Sequence, residues 1–301
     1  MSSKYLIYTC CFHQENYTDV LLYLVKSFKK TDSAVDFLVY TTADFRALIE
    51  EKCPGSGIKF FEKNFYKSMN QARISKLDIF DYPEIDNYEK VIYIDADSIF
   101  VKDPAPIFDA IQDDMVYVLG EGNILCDAEY WGKSLFLKEN AQYADREGLS
   151  SCVLGFKNIP AIKKMFIKTK QAFYLDMYQN KLKFYDQPFL NFHFIHNNIC
   201  NTSAFKLFVR SREPAQSAVD GGRIIVHFAG CPGHGGVKLD LMKEFQADFD
   251  KISQVNTVEV NAKATEAKAT EAKDLKQETI FLIQQQMEEL RKKMDELLKS
   301  Q

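Results

Sequence analysis

The sequence predicts an α/β fold with a mainly parallel sheet and helices on both of its faces. In the first half of the chain, short apolar runs alternate with segments whose apolar residues recur at helical spacing. Strand, helix, strand and helix in this order are typical of parallel strands joined by helical crossovers. The composition supports a globular core, because 46% of the 301 residues are hydrophobic and 27% are charged.

Four apolar runs in the first half have the length and the polar flanks of buried strands. They cover residues 5–9, 36–40, 58–61 and 91–94. Helical spacing is found over residues 17–28 and, more briefly, over residues 72–80. Further strands are predicted at residues 115–119, 153–156 and 223–228, and further helices at residues 159–178 and 187–196.

Charge and cysteine content argue against several classes of protein. The chain has 38 Lys and Arg against 42 Asp and Glu, so its net charge of −4 provides no broad cationic surface for nucleic acid. No apolar run is long enough to cross a membrane, and the apolar stretch at residues 5–8 is too short for a signal peptide. The seven cysteines include no Cys-x-x-Cys pair, which disfavours a zinc ribbon and favours a reducing compartment. We therefore predict a cytoplasmic protein.

The composition changes near residue 250. We predict a globular domain at residues 1–250, followed at residues 251–273 by a linker that contains KATEA twice in tandem. In residues 274–301, apolar side chains alternate at spacings of three and four, the a/d pattern of a coiled coil. They are Ile280, Ile283, Met287, Leu290, Met294 and Leu297. This amphipathic helix either joins copies of the chain into a homo-oligomer or docks onto its own domain, and an unstable tail is the third interpretation.

The most informative segment is an apolar strand that ends in two carboxylates. Val91-Ile-Tyr-Ile94 leads directly into Asp95-Ala96-Asp97. In an open α/β sheet, ligands bind beyond the carboxyl ends of the strands. Two carboxylates this close repel each other unless a positive group lies between them. A divalent cation meets that need, and the phosphate oxygens of a nucleotide complete its coordination.

Four further segments accompany this motif in the chain. They are Tyr17 at the start of a helix, Ala72-Arg73-x-x-Lys76-Leu77, Phe184-Tyr185-Asp186-Gln187, and Val226-His227-Phe228-Ala229-Gly230. In this order, over roughly residues 4–243, the segments resemble those of retaining nucleotide-sugar glycosyltransferases of the glycogenin and lipopolysaccharide galactosyltransferase type. The resemblance implies the Rossmann-like GT-A fold, with an additional C-terminal helix in this chain.

The resemblance also implies a metal-dependent transfer of a hexose from a UDP-sugar to a hydroxyl of a glycan, a protein or a small molecule. The metal ligands would be Asp95, Asp97 and His227, a set that suits Mn²⁺, with Mg²⁺ as the alternative. Asp186 and Gln187 are the candidate catalytic residues, and Asp186 would stabilise the sugar's positive charge as its anomeric bond breaks. The residues expected to bind the nucleotide sugar are Thr9, Tyr17, Arg73, Lys76, Asp95, Ala96, Gly230 and Lys238, with Tyr17 stacking on the uracil.

Three features depart from the pattern of that family. Ser150-Ser151-Cys152 stands where glycogenin-like enzymes have an Asn-Ser-Gly turn, and the single hydroxyl of a serine does not offer the separate carbonyl acceptor and NH₂ donor of an amide. The spacing from His227 to Lys238 is longer than in the family. No tyrosine follows Tyr185, so the chain has no candidate acceptor for self-glucosylation of the glycogenin type.

Two other functions stay open. A sugar-1-phosphate nucleotidyltransferase also combines a nucleotide-binding α/β sheet with acidic metal ligands, but it carries a glycine-rich basic loop after the first strand. Residues 10–15 of this chain contain no glycine. The other alternative is a non-catalytic nucleotide-sugar-binding or scaffold protein that works through its C-terminal helix.

Overall fold

The computed structural model describes residues 3–13, 15–55, 57–66, 68–124, 129–136, 143, 146–179, 185–229, 237–254, 277–279, 281–282 and 285–288. The chain divides into two compact units, Met1–Asp248 and Phe249–Gln301. Within the second unit, residues 249–254, 277–279, 281–282 and 285–288 are helical. Of the six residues with a/d spacing, only Met287 falls within the described part, and its side chain is exposed. Both KATEA units lie outside the described residues, so the linker and the coiled coil stay predictions.

The first unit is built on two sheets. Its described strands are β1 (Tyr5–Cys11), β2 (Asp36–Thr41), β3 (Lys59–Glu62), β4 (Lys90–Ile94), β5 (Ser98–Phe100), β6 (Val116–Asn123), β7 (Glu147–Lys157), β8 (Cys200–Asn201), β9 (Val209–Ser211) and β10 (Ile225–His227). The larger sheet has the order β3-β2-β1-β4-β7-β6-β8. Strand β7 is antiparallel to both of its neighbours, and the other four pairings are parallel. The mainly parallel sheet expected from the sequence is confirmed.

Strand β7 is longer than the four residues predicted, because it already begins at Glu147. The Ser-Ser-Cys segment at residues 150–152 therefore lies inside a buried strand and not in a turn. Pairing with β6 is irregular here, with register shifts beside Leu119 and after Gly120. The buried side chain of Asn191 completes the backbone hydrogen bonding, since its Oδ1 accepts from the Leu149 N–H at 2.8 Å and its Nδ2 donates to the Leu149 carbonyl at 2.9 Å. A polar strand of this kind has no apolar run for a sequence pattern to detect.

Helices cover both faces of the larger sheet. The labelled helices are α1 (Asn16–Lys30), α2 (Ala43–Lys52), α3 (Met69–Ile74), α4 (Ala105–Asp109), α5 (Lys133–Phe136), α6 (Pro160–Tyr178), α7 (Gln187–His196) and α8 (Ala215–Asp220), and residues 237–248 are also helical. Helix α1 buries Val20, Leu21 and Leu24, as its spacing predicts. The Ser27 hydroxyl near its end accepts a hydrogen bond from the Phe100 N–H at 3.0 Å, which attaches α1 to β5.

The segment predicted as a helix over residues 72–80 contains two kinds of helix. Helix α3 begins with a capping box, in which the Ser68 hydroxyl accepts from the Gln71 N–H and the Gln71 side chain accepts from the Ser68 N–H. It continues into a 3-10 helix over Ser75–Asp81. This 3-10 helix carries the buried Lys76.

Successive residues of β1 enter two different hydrophobic clusters, one on each face of the sheet. Leu6 and Tyr8 belong to one cluster and Ile7 to the other, and all three are fully buried. This alternation is expected for a strand covered on both faces. Among the described residues, no helix combines the length and the apolar character that crossing a membrane requires.

The smaller sheet has the order β5-β10-β9 and connects the Asp-Ala-Asp segment to a distant part of the chain. Its antiparallel β5–β10 pair places His227 opposite Ser98. The Phe228 N–H also donates to the Asp97 carbonyl at 2.8 Å. The pairing therefore brings His227 beside the carboxylate of Asp97.

Candidate active site

A cavity of about 680 Å³ opens at the carboxyl ends of β1 and β4. Because these two strands are parallel neighbours, the residues that follow them meet at one edge of the sheet. Among the predicted site residues, ten line this cavity. They are Tyr17, Arg73, Lys76, Asp95, Ala96, Asp97, Asp186, Gln187, His227 and Lys238.

Two predicted nucleotide-binding residues are not among the residues that line the cavity. Thr9 is fully buried within β1 and is not among the residues that line the cavity, whereas Cys10 and Cys11 are. The role of Thr9 in nucleotide binding therefore stays a prediction, and β1 extends beyond it to Cys11. Gly230 lies outside the described residues.

Asp95, Asp97 and His227 form a compact cluster of potential metal ligands. One ligand atom from each lies within 4.8 Å of the others. The Nε2 atom of His227 is 3.2 Å from Asp97 Oδ1 and 3.8 Å from Asp95 Oδ2. The side chains of Asp97 and His227 are buried, and Asp95 is partly exposed towards the cavity.

The charge of Asp97 is stabilised by two basic neighbours. Burial by itself raises the pKa of a carboxyl group, but His227 and Lys238 outweigh it and hold the pKa of Asp97 well below its usual range. The ammonium of Lys238 is in direct contact with Asp97 Oδ2. Burial lowers the pKa of Lys238, and its contact with Asp97 more than compensates, so that the pKa of Lys238 is raised.

Lys76 joins the carboxylate cluster to the second predicted catalytic segment. Its ammonium lies 2.9 Å from Asp186 Oδ2 and 3.4 Å from Asp95 Oδ1, and it donates to the Ser151 carbonyl at 3.0 Å. Lys76 is 4% exposed and Asp186 5% exposed. Burial opposes the charge of Lys76, but Asp186 and Asp95 raise its pKa above the ordinary lysine value. Lys76 is therefore a charged group at the floor of the cavity.

Arg73 and Gln187 complete the polar lining. The guanidinium of Arg73 lies over the ring of Tyr185, 3.0 Å from its centroid, and its buried Nη1 has no hydrogen-bond partner among the described residues. The Gln187 side chain is bonded at both ends, since its Oε1 accepts from the Ser151 N–H and its Nε2 donates to the Tyr130 carbonyl, each at 3.1 Å. Gln187 thus connects β7 with the segment that contains Tyr130.

Comparison with solved structures identifies the architecture. The structure of galactosyltransferase LgtC in complex with donor and acceptor sugar analogues is similar over 80% of this chain and 96% of that one, with 17% identity and a TM-score of 0.54. An active-site mutant of LgtC matches over 79% and 95%, with 15% identity and a TM-score of 0.54. The bifunctional glycosyltransferase WbbM matches over 77% of this chain but only 46% of its own, with 14% identity and a TM-score of 0.53.

This chain has the GT-A fold. The likeness to glycosyltransferases of the lipopolysaccharide galactosyltransferase type, expected from the motifs, is confirmed at the level of the fold. No protein-family model matches the chain, and no characterised protein matches it by sequence.

Several residues that line the cavity of this GT-A domain are not among the predicted site residues. Glu121, Tyr130 and Trp131 are examples. Glu121 is the first residue after the buried part of β6, and the two aromatic residues lie in a 3-10 turn at Glu129–Trp131. The signals available in the sequence were the single tryptophan of the chain and the glycines around it.

Proposed function

We propose that this chain is a metal-dependent retaining glycosyltransferase that moves a hexose from a UDP-sugar to a hydroxyl acceptor. The observation that carries the proposal is the cluster of Asp95, Asp97 and His227 at the carboxyl edge of a GT-A sheet. Solved structures of similar fold include a galactosyltransferase and a bifunctional glycosyltransferase. One fold hosts many functions, so the argument depends on the chemistry of these residues.

The donor set fits a divalent cation. Two carboxylates and one imidazole suit Mn²⁺ or Mg²⁺, and phosphate oxygens of the donor would supply further ligands. A bound cation would neutralise negative charge on the diphosphate of the leaving UDP. Lys238, which pairs with Asp97, contributes a second positive charge at the same place.

The nucleotide sugar has further partners in the same cavity. Tyr17 offers an aromatic ring for the uracil base, as in the family that the sequence resembles. The buried Nη1 of Arg73, which has no hydrogen-bond partner among the described residues, is a hydrogen-bond donor that an anionic or hydroxyl-rich ligand would satisfy. A buried N–H group without a hydrogen-bond partner costs about 1–3 kcal/mol of stability, and a bound UDP-sugar would remove this cost by accepting the hydrogen bond.

The transfer exchanges one bond at the anomeric carbon for another. The acceptor oxygen bonds to this carbon while the bond from the carbon to the β-phosphate oxygen breaks, and the electron pair leaves with UDP. The acceptor's proton passes to a phosphate oxygen of UDP. Positive charge develops on the sugar ring, and we assign the carboxylate of Asp186 to stabilise it. Lys76 holds this carboxylate in place at 2.9 Å.

Gln187 is proposed as a positioning residue of the site. One LgtC structure is of an active-site mutant in which a glutamine is replaced by glutamate. Gln187 is the glutamine among the described residues that line this cavity. Both ends of its amide are bonded to backbone groups, which favours a role in holding the sugar site together.

Binding and turnover measurements together test the proposal. UDP should raise the melting temperature only when Mn²⁺ is present, and a screen of UDP-glucose, UDP-galactose and UDP-N-acetylglucosamine should show UDP release with at least one donor. A nucleotidyltransferase would instead release pyrophosphate from UTP and a sugar 1-phosphate. A scaffold protein would bind a UDP-sugar without any turnover.

A further inference from the structure

Both carboxylate oxygens of Asp97 have a basic partner in the structure. Its Oδ1 lies 3.2 Å from His227 Nε2, and its Oδ2 is in direct contact with the ammonium of Lys238. The two partners differ in what they offer a cation. A neutral imidazole nitrogen has a lone pair and is a metal ligand, whereas an ammonium has three N–H donors and no lone pair. Lys238 therefore holds an oxygen that the cation proposed above would need, and it is not itself a ligand.

Lys238 is attached to the cluster less firmly than Lys76. The ammonium of Lys76 lies within 3.4 Å of two carboxylates and of the Ser151 carbonyl, and its side chain is buried. The ion-pair partner of Lys238 among the described residues is Asp97 alone. The side chain of Lys238 is 19% exposed and lines the cavity. Of the two lysines, Lys238 is thus the one that a ligand in the cavity would displace.

Displacement of the Lys238 side chain requires no movement of its helix. Lys238 lies in the helix over residues 237–248, in which Phe245 is buried. The rings of Phe245 and Phe228 pack edge to face with their centroids 5.5 Å apart, and Phe228 directly follows His227. This contact fixes the helix to the end of β10. A lysine side chain has a flexible four-carbon stem between its backbone and its charge, so the ammonium moves while the helix stays in place.

A divalent cation and the ammonium of Lys238 compete for the same carboxylate. Two positive groups beside one buried Asp97 repel each other, and the repulsion is strong because the effective dielectric constant is low. A diphosphate reduces this cost, since its oxygens supply negative charge and hydrogen-bond acceptors to a displaced ammonium. The departure of Lys238 is therefore easier when the cation and a nucleoside diphosphate bind together.

We propose that Lys238 is a displaceable internal counter-ion, which pairs with Asp97 in the nucleotide-free protein and leaves it when the cation binds. This inference rests on the cation site of the proposed function and adds an order to its loading. The free protein binds the cation weakly, and UDP strengthens this binding. Because such coupling is reciprocal, the cation strengthens the binding of UDP by the same factor.

Titration of the full chain with Mn²⁺ measures the competition, since the electron paramagnetic resonance signal of free Mn²⁺ decreases as the ion binds. Without nucleotide, Lys238→Met should bind Mn²⁺ at least about tenfold more tightly than wild type, equivalent to ~1.4 kcal/mol. UDP should strengthen Mn²⁺ binding by a larger factor in wild type than in Lys238→Met. Lys238→Arg keeps the positive charge and should remain near wild type.

Lys243→Met is the matched control, because it makes the same substitution on the same helix. The side chain of Lys243 is 50% exposed, and it pairs with Asp240 and not with the carboxylate cluster. This variant should bind Mn²⁺ as wild type does, with and without UDP.

Chemical labelling of Lys238 separates displacement from simple repulsion, because a lysine that stays on Asp97 also weakens cation binding. Brief acetylation of the wild-type chain without nucleotide, followed by peptide mass spectrometry, reports how accessible each lysine is. Lys238 should react several times faster at saturating Mn²⁺ than without it. The reactivity of Lys243 should not change.

Two results would overturn the displacement of Lys238. One is an Mn²⁺ affinity in Lys238→Met that is no tighter than in wild type, and the other is an unchanged labelling rate of Lys238 when Mn²⁺ binds. If Lys238→Met does not fold, labelling of the wild-type chain still decides the question. Absence of Mn²⁺ binding both with and without UDP is a distinct result, because it contradicts the cation site of the proposed function and this inference with it.

Discussion

At the residue scale, each carboxylate of the Asp-Ala-Asp motif has a lysine partner. Lys76 lies near Asp95, and Lys238 is in contact with Asp97. Two carboxylates this close repel each other unless a positive group lies between them. Lys76 is 19 residues from Asp95 in the chain and Lys238 is 141 residues from Asp97, and their positive charges offset part of this repulsion. Because the cluster is largely buried, these charge pairs interact in a medium of low effective dielectric constant.

Asp97→Ala tests the metal site. We expect transfer and hydrolysis of the UDP-sugar to fall below about a tenth of the wild-type rate, a barrier increase of at least ~1.4 kcal/mol, because the substitution removes a ligand of the proposed cation. UDP should also lose its Mn²⁺-dependent stabilisation. Asp109→Ala, at an exposed position at the end of α4, is the control and should behave as wild type. Turnover above a tenth of the wild-type rate would argue against the metal assignment.

Asp186→Asn tests the stabilisation of charge on the transferred sugar. The nearly isosteric amide removes the charge, so kcat should fall strongly while the affinity for UDP stays nearly constant. Removing one partner of a buried ion pair usually costs about 3–5 kcal/mol of stability, and the loss here should be smaller because Lys76 keeps Asp95 and the Ser151 carbonyl as partners. Kinetics, UDP titration and urea unfolding measure the three quantities. Equal losses of UDP affinity and rate would place Asp186 in the nucleotide pocket instead.

At the element scale, α7 organises the proposed sugar site. Asp186 precedes its first residue, Gln187 reaches both β7 and the Tyr130 turn, and Asn191 completes the hydrogen bonding of β7. All three side chains come from within two turns of the chain, so a shift of α7 would move the proposed charge stabiliser and the Tyr130 turn together. The helix therefore needs a rigid attachment to β7, and the buried amide of Asn191 provides it.

His193, on the same helix, should make stability depend on pH. Burial, together with the nearby charges of Lys168 and His196, lowers its pKa from 6.5 to about 4. Between pH 6.5 and pH 4 the unfolded chain binds more protons than the folded chain. The contribution of a neutral His193 to the free energy of unfolding is thus fully present above pH 6.5. It is lost as the pH falls towards 4, up to about 3 kcal/mol in total.

Urea unfolding at a series of pH values between 7.5 and 4.5 measures this dependence. His193→Gln should flatten the decrease of the unfolding free energy over this range, whatever its effect at neutral pH. His13→Asn is the control, at an exposed position whose φ of 75° asparagine tolerates, and it should keep the wild-type slope. An identical slope in His193→Gln would show that this histidine is not the titrating group.

At the scale of the whole molecule, the chain consists of a GT-A unit followed by a second unit from Phe249 onward. Every described residue that lines the cavity belongs to the first unit. The six a/d residues of the second unit recur at a spacing that a solvated tail does not require. Burying such side chains is worth about 1.5–3 kcal/mol each before the cost of ordering them, so they need a partner surface.

Removal of residues 254–301 tests this self-association. The full chain should be a dimer or a higher oligomer at tens of micromolar, and the shortened chain should lose at least one interface while keeping activity on a small acceptor. Met287→Glu in the full chain should have the same effect, because it places a charge in the a/d seam, whereas Gln285→Glu on the outer face should not. Light scattering during size exclusion measures the mass. A monomeric full chain would favour docking onto its own domain.

The sequence alone determined the features that depend on local patterns. The strands β1 to β4, the long helices and the Asp-Ala-Asp motif follow from apolar periodicity and from short motifs, since burial of one face or one strand leaves a regular trace in the residue order. The order of five motifs also pointed to nine of the predicted site residues that line the cavity.

Only the tertiary structure decided the contacts between distant segments. Three contacts join parts of the chain with no common periodicity. They are the ion pair of Lys76 with Asp186, the approach of His227 to Asp97 through the β5–β10 pair, and the close packing of Trp131 against Gly122 and Gly148. Strand β7 was predicted only in part for a related reason. The backbone hydrogen bonds around its buried serines are made with a neighbouring strand that only folding brings close. Such contacts depend on the three-dimensional path of the chain, and a local sequence pattern does not record that path.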